Sequence, residues 1–291
     1  MSDDHRFRNA EGAAELRRMY DALIDEHLPH VVRHAIPTTI GPIGVITAGA
    51  SDGIPVVLLH GSGATALSWA STIVGLSDEY RVHAVDLPGE PGPSTSTRVP
   101  FRANEQADWS AQVVRALAGQ PAIVVGVSIG GWIATALAAR NPELVAHLVL
   151  QSASGFARRR MLPLVLAGVL TSLGERGRRS ALTYLTGPHA SAPERTPLQR
   201  DLDAFALRTF TYFRPRTDLL PEHDSTDLER IRAQVSAAYG ARDRMLDARA
   251  AVGRIRRLLP TATVELRPGV GHLIGDQAAL TRKQISSSHD H

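Results

Sequence analysis

The stretch Ala122-Ile-Val-Val-Gly-Val-Ser-Ile-Gly-Gly-Trp132 constrains the fold more than any other part of this chain. Apolar β-formers run to Val127, a serine stands between two glycines, and a helical pattern begins at Ile129. That order reads as a buried strand, a very tight turn and a helix. The spacing Gly126-Val127-Ser128-Ile129-Gly130 is a G-x-S-x-G turn, in which a serine hydroxyl projects into the open while its backbone is strained. Side chains at 126 and 130 would collide with the neighbouring strand or helix, which accounts for the glycines. Two readings of Ser128 are open at this point: a nucleophile, or an N-cap for the helix that follows.

The surrounding rhythm agrees with a strand in the middle of a sheet. Residues 10–28 carry Leu16, Tyr20, Leu23 and Ile24 at helical spacing, which predicts an amphipathic helix packed on the main body and ended by Pro29. Val31–Ile36 and Gly44–Thr47 predict an antiparallel hairpin at a sheet edge. Strands are then expected at Ile54–Leu59, Tyr80–Val85, Ala122–Val127, His147–Leu150, Gln234–Tyr239 and Thr263–Leu266. Helices are expected at Ala64–Leu76, Glu105–Leu117, Ile129–Arg140 and around Leu246–Leu259. Strands alternating with helices imply an α/β fold: a mostly parallel eight-stranded sheet with helices on both faces. The alternation breaks between Gly155 and Arg230, where Arg-rich helical segments and Phe205, Phe210, Tyr212 and Phe213 predict an inserted helical cap. The expected division is a core of 1–155 and 231–291 with the cap at 156–230. Ser286–His291 reads as a disordered tail.

Composition removes several function classes. The chain has no cysteine, so disulfides, thiolate metal sites and a cysteine nucleophile are excluded together. A net charge of +3 is too small for a nucleic-acid footprint, and no recognition motif accompanies it. The polar N-terminus has no secretory core, and no apolar run approaches the roughly 20 residues of a membrane span. A cytoplasmic location is the expectation.

A serine hydroxyl needs a base to take its proton and a third group to orient that base. In a parallel sheet these groups belong at the strand ends. His272, in Pro268-Gly-Val-Gly-His272, is the histidine that follows a late strand with glycines to fold its loop tightly. His189 and His223 lie in the cap region without such a context, and His289 and His291 lie in the tail. For the carboxylate, Gln151-Ser-Ala-Ser-Gly155 offers no acid, whereas Gly240-Ala-Arg-Asp243 does. Asp247 is the competitor, placed by the pattern inside a helix. An acyl oxyanion would need backbone donors, for which the N–H groups of Ile129 and Ser62 are the candidates. His60 and Asp86 read as loop-fixing groups. Gly61 and Trp132 are expected at the substrate pocket, and Arg158–Arg160 and Arg176–Arg179 as solvated cap surface.

His60-Gly61-Ser62-Gly63, Asp86-Leu-Pro-Gly89 with Gly92 and Ser94, Gly126-Val-Ser-Ile-Gly-Gly131, Gly240-Ala-Arg-Asp243 and Gly271-His272 resemble, in this order, the motif set of the α/β-hydrolase superfamily. The helix before the hairpin resembles a bacterial carboxylesterase-like branch. The resemblance spans about residues 31–275 apart from the cap. It implies Ser128 as nucleophile, Asp243 as acid and His272 as base, acting on a small-molecule carboxylic ester without metal or organic cofactor. Serine rather than aspartate at 128 speaks against the haloalkane dehalogenase and epoxide hydrolase branches. The partners expected are the ester alone, with no nucleic acid and no membrane, in a monomer or homodimer. The apolar, aromatic cap points to an uncharged, fairly hydrophobic substrate entering between cap and sheet. The same triad also serves thioesterases, lactonases, acyltransferases and cyclases, and the same fold can hold a ligand with little turnover.

Overall fold

The computed structural model describes residues 4–158, 160–187 and 196–286. In chain order its strands are β1 (Val32–Ile36), β2 (Ile43–Ala48), β3 (Ile54–Leu59), β4 (Tyr80–Val85), β5 (Ala122–Val127), β6 (Val145–Gln151), β7 (Gln234–Gly240) and β8 (Thr263–Arg267). They form one sheet in the order β1-β2-β4-β3-β5-β6-β7-β8. The β1–β2 hairpin is antiparallel, β2 also runs antiparallel to β4, and every later pair is parallel. The predicted hairpin is therefore present, although β2 lies inside the sheet and is buried along its whole length.

The helices are α1 (Ala10–His27), α2 (Ala70–Leu76), α3 (Ala103–Leu117), α4 (Ile129–Arg140), α5 (Met161–Thr171), α6 (Gly174–Thr186), α7 (Pro197–Tyr212), α8 (Ser225–Leu228), α9 (Ala248–Leu258) and α10 (Gln277–Ser286). Because side chains alternate along a strand, an all-apolar strand feeds two cores at once. Val57, Leu59, Val124, Leu148 and Leu150 join α3, α4 and α9 on one face. Val56, Leu58, Ile123, Val125 and Val149 join α1, α2 and Ile285 of α10 on the other. Helix α4 is rich in Ala and Gly and buried over all but its last residue, so it can lie directly on β5.

Three expectations need correcting. The segment Ala64–Leu76 is not one helix: a 3-10 turn at Ala66–Trp69 precedes α2, and Asp86 Oδ1 accepts the Ala66 N–H at 2.8 Å at the start of that turn. Asp247 is the N-cap of α9 rather than a residue inside it, its Oδ1 accepting the Ala250 N–H at 3.1 Å. Ser286 closes α10 rather than opening a tail; the rest of that stretch, 287–291, lies outside the described residues, as do Arg159 and His189. Helix α10 looks surface-like in sequence because its buried face sets Thr281 and Gln284 beside Leu280 and Ile285. Gln151 Nε2 at the end of β6 donates to Thr281 Oγ1 at 2.9 Å and to Gln284 Oε1 at 3.2 Å.

Helix α1 starts at Asn9, whose side chain accepts the Gly12 N–H at 2.7 Å. It packs on the sheet layer as predicted and also on the cap: the Tyr20 and Phe205 rings lie 6.4 Å apart. Phe7 and Phe213 meet edge to face with ring centres 6.1 Å apart. The cap aromatics Phe205 and Phe213 are buried against the N-terminal segment.

Candidate active site

Ser128 stands between β5 and α4 with φ 53° and ψ −115°, one of two non-glycine residues at positive φ among those described. The strain is held by neighbours on both sides. The Ser128 N–H donates to the Gln151 carbonyl at 3.2 Å, and its own carbonyl accepts from Ser154 N at 3.0 Å. A Cβ added at Gly126 would lie 2.5 Å from the Gly130 carbonyl oxygen, and one at Gly130 would lie 2.1 Å from that of Leu59. Both glycines are therefore required by close approach, the first to α4 and the second to β3. The serine side chain makes no capping hydrogen bond to α4, which removes the N-cap reading and leaves the hydroxyl uncommitted to that helix. The other residue at positive φ, Ser152 at 44°, is fully buried at the end of β6, where its N–H donates to the Ala238 carbonyl at 2.8 Å.

Asp243 and His272 follow β7 and β8, on the same edge of the sheet as Ser128. Asp243 Oδ1 accepts the N–H groups of Met245 at 2.7 Å and Leu246 at 3.0 Å, and Oδ2 lies 2.7 Å from His272 Nδ1. A side-chain exposure of 0 % for Asp243 and 6 % for His272 keeps solvent from competing for that bond. With Nδ1–H donated to the carboxylate, the imidazole lone pair resides on Nε2. The His272 loop is pressed onto β7 so closely that a Cβ at Gly240 would lie 2.0 Å from the Gly271 carbonyl oxygen. Among the described residues no hydrogen bond joins His272 Nε2 to Ser128 Oγ, a contact that in free enzymes often tightens only when substrate arrives. Asp247 is spent on its cap and on Arg160 at 3.6 Å.

The loop after β3 supplies the third side. Gly61 packs on the serine, since a Cβ there would lie 3.6 Å from Ser128 Cβ. His60 bonds loop backbone with both nitrogens: Nδ1 to the Gly61 carbonyl at 2.7 Å, and Nε2 accepting from Leu87 N at 3.0 Å. Its burial lowers the imidazole to a pKa of about 4, so it stays neutral and keeps its accepting nitrogen. Asp86 is fully buried and takes the Tyr20 hydroxyl at 2.6 Å besides Ala66 N; burial pushes its carboxyl up to about 7. Both are loop-fixing groups, as their positions predict. Ile129 is the first residue of α4, so its N–H has no acceptor within the helix.

Trp132 lies one turn beyond Ser128, 1 % exposed, with Nε1 donating to the Pro221 carbonyl at 2.8 Å. His223, set aside in the sequence for want of a glycine context, stacks on it with centroids 4.6 Å apart. The pair joins α4 to the root of the cap. The cap also touches the edge that bears Ser128, Asp243 and His272 through α6: Leu273 N donates to the Thr186 carbonyl at 3.2 Å, and Arg244 Nη1 to that of Tyr184 at 3.1 Å. No pattern within α6 signals these contacts, which exist only once the cap folds back. Two of the cap arginines form surface ion pairs, Arg158 with Glu222 at 3.8 Å and Arg179 with Glu175 at 2.9 Å.

A model of the alpha/beta hydrolase family matches residues 56–283. Carboxylesterase YbfK of Bacillus subtilis is 24 % identical over 99 % of this chain and 97 % of its own length. Esterase Rv0045c of Mycobacterium tuberculosis is 33 % identical over 67 % of this chain and 64 % of its own. The crystal structure of naproxen esterase from Bacillus subtilis superposes with a TM-score of 0.82, at 21 % identity, covering 97 % of this chain and 99 % of that one. The family match spans most of the chain and takes in β3 through α10, with every residue of the strand-end site: the chain belongs to the alpha/beta hydrolase family.

Proposed function

We propose that the chain hydrolyses carboxylic esters through an acyl-serine intermediate formed on Ser128. The observation that carries this reading is an uncapped serine held at φ 53° on the sheet edge that also bears the 2.7 Å Asp243–His272 hydrogen bond. Full-length similarity to a carboxylesterase supports it.

Ser128 Oγ attacks the ester carbonyl carbon as its proton passes to His272 Nε2. Asp243 holds the resulting imidazolium through Nδ1–H and fixes the tautomer beforehand. Negative charge builds on the carbonyl oxygen, which the N–H groups of Ile129 and Ser62 receive; each such donor lowers the barrier by roughly 3 kcal/mol. The positive end of α4 adds to the same field. The tetrahedral adduct collapses, the carbon–alkoxy bond breaks, and His272 gives its proton to the departing alcohol. Water, deprotonated by His272, then attacks the acyl carbon; the acid leaves and the Ser128 proton is restored. No step calls for a metal or an organic cofactor, and Gly61 and Trp132 would border the acyl site.

A fluorophosphonate probe tests this directly. Wild type should label and hydrolyse p-nitrophenyl esters, and Ser128→Ala should do neither, with kcat down by about 10⁶-fold. Unchanged ester turnover in Ser128→Ala would end the proposal. Running esters beside thioesters and lactones on the same two proteins separates the reaction classes open to this triad.

A further inference from the structure

Glu90 lies in the turn Gly89-Glu90-Pro91-Gly92 that follows β4, and it is only 1 % exposed. Its Oε2 accepts the Gly63 N–H at 2.6 Å, while Oε1 is buried with no hydrogen-bond partner among the described residues. A carboxyl in such a place costs several kcal/mol of lost hydration, so nothing in ordinary packing favours it over an apolar residue. What it touches is the far end of the Gly61-Ser62-Gly63 turn, whose near end rests on Ser128. Gly63 sits at φ 70°, and nothing lies within 4 Å of where its Cβ would be, so side-chain packing does not hold it in place. The near end of the turn is held through the Gly61 carbonyl, by His60 Nδ1 at 2.7 Å and Ala64 N at 3.3 Å, and the carboxyl holds its far end at Gly63.

Glu90 is itself held from behind. Arg6 Nη1 donates to the backbone carbonyls of Glu90 at 2.8 Å, Gly92 at 3.1 Å and Ser94 at 3.1 Å. The other face of that guanidinium pairs with Asp4 at 2.7 Å. The segment ahead of α1 thus clamps the Glu90 turn, and the Glu90 turn clamps the loop beside the serine.

We propose that Glu90 is a positioning residue for the oxyanion donors, holding the Gly61–Gly63 turn so that the Ser62 N–H stays set beside Ser128. This rests on the serine-esterase reading of Ser128. The charged and titratable groups around the carboxyl are Arg6, Arg98 and Arg216, with Asp4 and Asp218 pairing two of these arginines, and Asp86 and neutral His60 on the flanking loop ends. Burial outweighs the three arginines and raises the carboxyl to about 7. The protonated acid is also the form suited to the reaction, because a carboxylate would set a second negative charge near the developing oxyanion.

The test is steady-state hydrolysis of a p-nitrophenyl ester by the full chain from pH 6 to 9, with folding checked by urea denaturation. Glu90→Ala should lower kcat by roughly 10- to 100-fold with KM within about twofold, the pattern of a lost transition-state contact. Glu90→Gln keeps an acceptor for Gly63 and cannot ionise, so it should recover kcat to within about threefold of wild type at pH 6. Wild type should lose kcat as pH rises past the Glu90 pKa of about 7, and Glu90→Gln should not. If Glu90→Ala does not fold, Glu90→Asp, one methylene short of Gly63, takes its place with the same expected loss. Wild-type kcat in the Ala or Asp variant overturns the proposal, as does a Gln variant that falls equally far or keeps the alkaline decline. An inactive Ser128→Ala beside an unchanged Glu90→Ala overturns this inference alone, whereas an active Ser128→Ala overturns the esterase reading and this inference with it.

Discussion

At the strand ends the carboxylate of Asp243 takes three hydrogen bonds and shows no surface to solvent, whereas α5 in the cap leaves Leu162, Val165 and Val169 between 57 and 79 % exposed. The contrast extends to some of the glycines. Gly126, Gly130 and Gly240 exist because backbones there approach too closely for a Cβ, whereas a Cβ at Gly168 of α5 or Gly174 at the start of α6 would have nothing within 4 Å. The reactive geometry is therefore built by the sheet and its short loops. The cap is fastened at separate points, among them the end of α6 on the His272 loop, the Trp132–His223 stack, Phe205 against Tyr20 and Phe213 against Phe7. A tightly held edge preorganises charge for a transition state.

The largest expected effect comes from changing the edge by one atom. In Asp243→Asn the amide oxygen can still accept from Met245 and Leu246, leaving an NH₂ to face His272 Nδ1. The imidazole must then present its lone pair at Nδ1 and its proton at Nε2, where it can no longer act as a base toward Ser128. Activity should fall by about 10⁴-fold with the fold intact. Ester kinetics and near-UV circular dichroism on the same sample measure this; a loss under tenfold would show that the edge does not depend on that bond.

Two buried histidines, one in each region, give the next and smaller effect. His60 is lowered to about 4 and His223 to about 3, chiefly by burial, so both are neutral in the folded chain. Unfolded, each takes a proton below about 6.5. The stability each contributes is present above 6.5 and is lost as pH falls toward the folded pKa, by roughly 2 kcal/mol apiece between pH 7 and 5. Their partners differ, however. His60 uses both nitrogens on backbone, while His223 Nε2 is buried without a partner among the described residues. His223→Phe should therefore keep stability at pH 7 within about 0.5 kcal/mol, because it removes an unpaired polar atom and retains a ring on Trp132, and should flatten the acid limb. His60→Phe should cost about 2 kcal/mol or more at pH 7, having orphaned two backbone groups. Urea midpoints at pH 5 and 7 decide it, and equal costs for the two variants would erase the distinction.

What could be read in the sequence was what is local. The Ser128 turn is five adjacent residues whose glycines answer to contacts made within the strand–turn–helix unit and with one neighbouring strand. Asp243 and His272 were legible because a parallel sheet gathers its strand ends, so a Gly-x-x-Asp and a Gly-His after late strands have few other places to go. Glu90 was not legible. Its own turn shows only an acid among glycines and prolines, and its meaning comes from Gly63, 27 residues earlier, and Arg6, 84 residues earlier. The polar α10 failed as a pattern for the same reason, since Gln284 is paired with Gln151 across 133 residues. The neighbours of the cap aromatics were not legible because hydrophobicity does not say what will cover it: Phe205 packs near Tyr20 of α1 and Phe213 against Phe7 ahead of it.

The smallest effect is expected where the contrast with the core is widest. Leu162 is 79 % exposed on α5, so its replacement forfeits only about a fifth of the 1.5–3 kcal/mol that full burial of a leucine contributes. Leu162→Gln should shift stability by no more than about 0.5 kcal/mol and leave kcat for a short-chain ester at the wild-type level. Leu137 on α4 has an exposure of 0 %, and Leu137→Ala should cost about 3–5 kcal/mol, because a cavity adds to the lost burial. Chemical denaturation of the two variants compares the regions directly. A loss above about 2 kcal/mol in Leu162→Gln would mean that the exposed face of α5 is covered in solution, and sedimentation would then show whether a second copy of the chain covers it.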